Sequence, residues 1–316
     1  MRSFVMTISA QLFDEHKRFL WGMCYRMTGS AADAEDIVQD TFVKAMENPP
    51  ADMESSIRPW LVKVAMNLSR DQLRRRRRRE YVGPWLPSPV PTDGESRSQL
   101  DHQSATEASP GTHYDLMESV TMAFLLALEA LTPAQRAVLL LRDVFDFSTT
   151  ETAEALEMSE ANIKVTLHRA RRIMGSFEKD RVFDFSRRVV EMRNTLQRFL
   201  TLLAAGDVQG LKEMLAADVV LITDGGGEIN ALAEPVYGCE KVLRLLTKLY
   251  EANREVTSTS LRNVNGEPAI LVGRSEVKPG HASFFTMHCE LDERSLMRCL
   301  RFVFAPTKLT ALKQAT

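Results

Sequence analysis

From residue 30 onward, apolar positions recur at three- and four-residue intervals. Ala34, Ile37, Val38, Phe42, Ala45 and Met46 fall on one side of a helix within "SAADAEDIVQDTFVKAMEN". Ser30 stands at the cap position, and acids fill the first turn, where the helix dipole favours them. A further helix is predicted from about Ile57 into a run of arginines, with Trp60, Leu61, Val64, Ala65 and Leu68 as its buried stripe. Lys63, Asn67, Arg70 and Arg74 follow one another at spacings of four, three and four and so share the opposite face. Residues 1–79 read as one all-α domain.

Periodicity then stops. Residues 80–112 are rich in Pro, Ser, Gly, Thr and Asp and read as a largely flexible linker. Within it, "YVGPWLPSP" keeps Tyr81, Val82, Trp85 and Leu86, which are costly to leave in water, so this stretch is expected to dock. Helical spacing resumes over 113–178. Thr132, Pro133 and Gln135 form one capping box, and Ser148 with Glu151 forms a second. The second box opens a short helix to about Glu157 with Ala153 and Leu156 inward. After a tight break, Ser159 caps "EANIKVTLHRARRIM", whose buried stripe is Ile163, Leu167, Ala170 and Met174. Two helices joined by a short turn, the second bearing Asn162, Lys164, His168, Arg169 and Arg172, have a helix-turn-helix layout.

The remainder, 188–316, changes character. A helical stretch over "MRNTLQRFLTLLAAGDVQGLKEMLA" leads into the strand-like "DVVLITDGGG". A helix over "GCEKVLRLLTKLYEA" precedes strand-like runs at "EVTSTSLRNV", "PAILVGRSEV", "ASFFTMHCEL" and "SLMRCLRFVFAP". Helices followed by a mostly antiparallel sheet indicate an α+β domain.

A net charge of -2 hides strong local patterning. Residues 31–55 carry seven acids and one base, whereas 58–79 carry nine bases and one acid, six of those bases being Arg74 to Arg79. Two basic stretches around an acidic one suit two polyanion-binding surfaces and one surface for a basic partner. Cys24, Cys239, Cys289 and Cys299 are scattered and form no CxxC pair, as expected of reduced thiols rather than a disulfide or zinc framework. No apolar run approaches the ~20 residues of a membrane span, and the first residues lack a secretory pattern, so a cytoplasmic protein without a membrane partner is expected.

"YRMTGSAADAEDIVQDTFVKAM" and "RPWLVKVAMNLSRDQLRRRRR" resemble region 2 of bacterial extracytoplasmic-function sigma factors of the sigma-70 type, and "ALTPAQRAVLLLRDVFDFSTTETAEALEMSEANIKVTLHRARR" resembles their region 4. The part with "DGGG" and "VNGEPA" looks like a SnoaL-like cone, and with "WLPSP" the whole resembles the subgroup that carries such a domain at its C-terminus. The implied fold is multidomain: region 2 over 1–79, a linker over 80–112, region 4 over 113–178, and a SnoaL-like regulatory domain over 188–316. The resemblance implies that Asp36, Gln39 and Asp40 dock on the β′ clamp helices of core RNA polymerase. It implies that Lys63, Asn67, Arg70, Arg74, Arg75 and Arg78 engage the −10 element of promoter DNA, the arginine run acting as a phosphate clamp. It implies that Ser159, Glu160, Asn162, Lys164, His168, Arg169 and Arg172 meet the −35 element, Asn162 and Lys164 reaching base edges while Arg169, Arg171 and Arg172 hold phosphates. Trp85, Leu86, Pro87, Asp224, Gly225, Gly226, Gly227, Asn265 and Gly266 are the implied contact between linker and C-terminal domain. The chain departs from the family at Glu157, where glycine is usual, at Glu228 after "DGGG", and at "APTKL".

Blander readings stand beside these: a merely solvated acidic helix face, and a basic tail for any nucleic acid. The cone also raises a second class of function, an enzyme or small-ligand sensor fused to a DNA-binding module, with Asp224, His281 and His288 as acid–base candidates. A third is a helix-turn-helix regulator acting without polymerase. A non-enzymatic transcription initiation factor is expected, with no cofactor and no metal. The ligand of the C-terminal domain, if it has one, stays open.

Overall fold

The computed structural model describes residues 2–48, 50, 53–78, 80–93, 113–179, 185–252, 256–275 and 279–314. The chain divides into two compact units, Met1–Arg79 with Gly94–Arg181, and Glu80–Asp93 with Val182–Thr316.

In the first unit, Ser30 accepts the backbone N–H of Asp33 and starts α2 (Ala31–Glu47) directly after α1 (Arg2–Thr28). Ala34, Ile37, Val38, Phe42 and Ala45 are buried as their spacing predicts, but Met46 is exposed. It stands about 100° around the helix from Ala45, beyond the edge of the covered stripe. Helix α3 (Met53–Arg76) buries Leu61, Val62, Ala65, Met66 and Leu73, while Trp60, Val64 and Leu68 are only half-buried. The difference from the predicted stripe has a packing cause: α3 is covered by α1 and α2 and also by helices of the 113–179 segment.

In that segment, Thr121 caps α4 (Met122–Ala127), and Thr132 with Gln135 closes a complete capping box on α5 (Pro133–Leu139). A π-helical turn, Leu140–Val144, carries α5 onward. Ser148 and Glu151 form the second capping box, on α6 (Thr149–Leu156). Glu157 ends α6 in the left-handed conformation (φ 55°), and α7 (Glu160–Lys179) follows after Ser159 accepts the Asn162 N–H. Ile163, Ala170 and Met174 are buried and Leu167 half-buried, as the sequence pattern requires.

The second unit opens with α8 (Phe185–Ala205) and α9 (Val208–Glu213). They are two helices rather than the predicted single stretch, because the chain turns at Gly206 (φ 65°) and Asp207 caps the next helix. Then come β1 (Leu215–Asp224), β2 (Val236–Tyr237), α10 (Cys239–Ala252), β3 (Val256–Val264), β4 (Glu267–Arg274), β5 (Phe284–Leu291) and β6 (Met297–Val303). The strands form one sheet in the order β2-β1-β6-β5-β4-β3, antiparallel except where β1 runs parallel to β6. Phe199, Leu246, Ile270, Phe285, Met287 and Phe302 belong to the core between helices and sheet. A short helix, α11 (Thr310–Gln314), closes the described chain.

Residues 80–93 differ from the sequence expectation most. They fall within the stretch read as largely flexible linker, apart from "YVGPWLPSP", which is expected to dock; in the structure Leu86, Pro87, Ser88, Pro89, Val90 and Thr92 are all buried, packed as part of the second unit. The rest of the predicted linker, 94–112, lies outside the described residues.

Candidate functional site

Three surfaces of the first unit carry the residues singled out by sequence. On α2, Asp36, Gln39 and Asp40 are exposed and sit one turn apart on a single face. On α7, Asn162, Lys164, His168, Arg169 and Arg172 are exposed, while Ser159 and Glu160 lie at the helix start. Glu160 accepts the Thr150 hydroxyl at 2.7 Å, and Thr166 donates to the Asn162 side-chain oxygen at 3.2 Å. Arg171 departs from the phosphate role expected of it: it makes a two-pronged bond, at 2.9 and 2.7 Å, to Asp143, a fully buried carboxylate on the turn after α5. It ties α7 to the body of its own domain.

The α3 surface is the least open of the three. Lys63, Asn67 and Arg70 share a face as predicted, but all three are half-buried. Arg74 pairs with Asp71 at 2.8 Å, and Arg75 and Arg78 are exposed. Two members of the arginine run make bonds within the unit: Arg76 is half-buried, and Arg77 is exposed yet bonded. Arg76 donates to both carboxylate oxygens of Glu129 at 2.7 Å, and Arg77 donates to the Leu131 carbonyl.

In the second unit, the linker residues and the glycine-rich turn come together in one slot around Asp224. This carboxylate, with no exposed surface, accepts four hydrogen bonds. Tyr81 O–H and Gly226 N–H donate to Oδ1 at 2.6 and 3.0 Å, while Leu86 N–H and Lys308 Nζ donate to Oδ2 at 2.7 and 2.6 Å. The Lys308 ammonium also donates to the Leu86 carbonyl at 2.6 Å, and lies 4.7 Å from the Tyr81 ring centroid and 4.6 Å from that of Trp85. The Lys308 cation thus neutralises a carboxylate that burial would otherwise penalise, and the Tyr81 and Trp85 faces stabilise that cation in turn. Gly226 has φ 64°, and a Cβ there would stand 2.9 Å from that of Ala305, so the close turn requires glycine.

Further along, residues 90–92 extend the sheet at its β3 edge. Asn265 exchanges two bonds with Val90, its side-chain oxygen accepting at 3.0 Å and its N–H donating at 2.9 Å. Thr92 N–H donates to the Asn263 carbonyl and Gly266 N–H to the Thr92 hydroxyl, while Arg262 forks onto Asp93. That fork holds the Asp93 carboxyl below its ordinary value. Trp85, Leu86, Asp224, Gly226, Asn265 and Gly266 are therefore parts of one strap-and-slot contact, and Pro87, which lies between them in sequence, is buried. Gly227 faces Val82 across it, and Gly225 packs against the Ile229 carbonyl. Sequence reasoning missed Lys308 and Asn263; the only local signal for Lys308 was "APTKL".

The acid–base candidates are not assembled. Asp224 is occupied by the strap, His281 is exposed, and His288 is buried on β5 with its Nε2 3.2 Å from the Thr286 hydroxyl. Burial, reinforced by the Arg301 charge, depresses the His288 pKa to about 3, so its imidazole is neutral. None of the three lines the cavity of about 730 Å³ between α8, α10 and the sheet. Its walls include Phe199, Leu203, Leu246, Tyr250, Met287 and Phe302, and among the described residues none of the lining side chains is charged. Among the described residues, no cluster of His, Cys, Asp and Glu could hold a metal ion, and no helix is long and apolar enough to cross a membrane.

Family models for sigma-70 region 2 and sigma-70 region 4 match residues 12–79 and 121–174. The chain is 34% identical over 218 residues to the ECF RNA polymerase sigma factor SigG of Mycobacterium tuberculosis, in an alignment covering 66% of this chain and 59% of SigG. It is 31% identical over 247 residues to the ECF RNA polymerase sigma factor SigJ of the same organism, covering 76% of this chain and 72% of SigJ. The crystal structure of the M. tuberculosis SigJ superposes with a TM-score of 0.68 at 25% identity, covering 96% of this chain and 98% of that one.

Proposed function

Because this chain belongs to the extracytoplasmic-function sigma factors of RNA polymerase and ends in an NTF2/SnoaL-like domain, we propose that it confers promoter specificity on core RNA polymerase and that its C-terminal domain tunes this activity in cis. The observation that carries the first part is the exposed, basic and amide-bearing outer face of α7 in a helix-turn-helix unit that matches region 4. Asn162 and Lys164, near the helix start, suit base edges in a major groove; Arg169 and Arg172 suit phosphates. The acidic face of α2 suits the β′ clamp helices, where complementary charge orients and speeds docking. Activity in the cytoplasm follows from those partners. For the second part, support comes from the strap: the residues that leave region 2 are built into the C-terminal domain, so a change in that domain acts directly on the chain joining regions 2 and 4.

The test is transcription by purified full-length chain and core polymerase on a promoter library. Reversing Asp36 and Asp40 to lysine together is expected to weaken core binding by on the order of tenfold or more, while DNA binding through α7 is retained. Unchanged co-purification with core would remove the assigned interface.

A second reading, that the C-terminal domain also senses a small ligand, is favoured by the apolar, aromatic cavity. Its volume and its apolar, aromatic walls fit an uncharged organic molecule rather than an acid–base reaction. The neutral fluorophore 1-aminoanthracene is expected to bind saturably at one site per chain, and Leu203→Trp, which fills the cavity, is expected to abolish that binding. Absence of binding, or binding untouched by the filled cavity, rules the reading out.

A further inference from the structure

On the role that the resemblance to region 2 implies, α3 presents Lys63, Asn67 and Arg70 to promoter DNA. In this structure that face is already occupied by region 4. Lys63 Nζ lies 2.7 Å from the Glu157 carboxylate. Arg70 donates to the Asn67 side-chain oxygen at 3.3 Å and to the Leu156 carbonyl at 3.4 Å. Leu156 ends the first helix of the helix-turn-helix, and Glu157 opens the turn to the second. One helical stretch further on, Glu129 takes both bonds from Arg76 and a third, at 2.9 Å, from Arg136. Arg136, almost wholly buried, reaches across to the Met27 carbonyl of region 2 at 2.8 Å and to the Leu128 carbonyl at 2.7 Å.

Glu157 is an unfavourable choice for its position on local grounds alone. Its φ of 55° and ψ of 47° lie in the left-handed region, where a Cβ is penalised and glycine is not. It also places a negative charge at the C-terminal end of α6, against the helix dipole. Both local costs fall on a residue whose carboxylate meets a lysine of the other domain. The hydrogen bond and charge of Lys63 hold the Glu157 carboxyl below its ordinary pKa.

We infer that regions 2 and 4 close on each other in the free protein, with Glu157 and Glu129 standing where DNA phosphates would stand, so that promoter DNA must displace region 4 from α3. The inference rests on the reading of α3 as promoter-facing. It extends that reading to a built-in competitor, which gives the free chain a lower affinity for DNA than its open form. The Lys63–Glu157 pair is exposed, and exposed pairs are weak and screened by salt. A duplex that releases counterions as it binds therefore outcompetes it, and the latch yields to DNA presented by polymerase.

The test is a double-mutant cycle on the full chain, read by anisotropy of a fluorescein-labelled forked duplex at fixed salt. Glu157→Gly is expected to tighten binding by roughly two- to fivefold, the scale of an exposed pair, and to leave the melting temperature unchanged or higher because the strain is relieved. Glu157→Gln, which keeps the Cβ, is expected to tighten binding similarly, separating charge from strain. Lys63→Met is expected to weaken binding at least twofold more in the Glu157→Gly background than in the parent, because only there is Lys63 free to reach DNA. An equal or smaller loss in the Glu157→Gly background overturns the latch. No loss in either background overturns the promoter-facing assignment of Lys63 on which the latch rests.

Discussion

Asp224→Ala is expected to destabilise the C-terminal unit by about 3–5 kcal/mol, the scale for removing one partner of a buried ion pair. The substitution leaves the Lys308 ammonium, with a side chain only 12% exposed, without its carboxylate. It also strips acceptors from Tyr81 O–H and from the buried N–H of Leu86. Each unsatisfied buried donor adds a desolvation cost of roughly 1–3 kcal/mol unless water enters, and the strap relieves that cost by leaving the slot. Hydrogen exchange is therefore expected to accelerate over residues 80–93 before it changes in the sheet core, and transcription with core polymerase is expected to change at equal protein concentration. Tyr81→Phe, which removes a single bond from the same carboxylate, calibrates the effect at about 1 kcal/mol. Slow exchange over 80–93 in Asp224→Ala, with unaltered transcription, would show that the strap is held without its central charge and does not govern activity.

Acid is expected to weaken the same unit through His288. Its folded pKa, about 3, lies below the ordinary 6.5 because burial and Arg301 disfavour the imidazolium. Between those two values the unfolded chain binds a proton that the folded chain refuses, so stability falls as pH falls. The contribution is fully present above the unfolded value and is lost progressively below it, at about 1.4 kcal/mol per pH unit, or about 2 kcal/mol by pH 5. Among the described residues, the Nδ1 atom has no hydrogen-bond partner, so none of them compensates for protonation. Denaturant titrations of parent and His288→Leu at pH 7 and pH 5, followed by exchange of β5 and β6 amides, give the slope directly. An identical loss in both proteins would assign the acid sensitivity to other groups.

What the sequence makes legible here is what is local. Ser30, the Thr132–Gln135 box and the Ser148–Glu151 box are readable because a cap is a pattern within four residues, and all three caps are formed. The helix-turn-helix and the strands β3 to β6 are likewise carried by short periodic runs. Long-range partners are not readable in this way. Lys308 meets Asp224 across 84 positions and the Leu86 carbonyl across 222, and nothing near "APTKL" marks it as a buried cation. Arg136 looks like a surface residue in "LTPAQRAVLLLRD", but it is buried because carbonyls of both helical domains and the Glu129 carboxylate converge on it. Arg76 and Arg77 show the limit most plainly. In a run of six identical residues, composition suggests one shared role, and only the fold assigns these two to region 4. Within residues 80–93, Tyr81, Trp85 and Leu86 signal that the stretch docks, but not where, because its partners lie well over a hundred positions away.

The strap at the β3 edge bears on how molecules of this protein meet one another. β3 is an outermost strand of its sheet, and residues 90–92 cap the backbone groups at its far end. A fragment starting after the linker would expose that edge together with the vacant pocket for Leu86, which is a receptor for the peptide it lost. Supplying residues 80–93 as a separate peptide should restore the fold in trans. In the intact chain the strap covers that edge itself, so release of the strap is what would open the β3 edge to pairing with another strand.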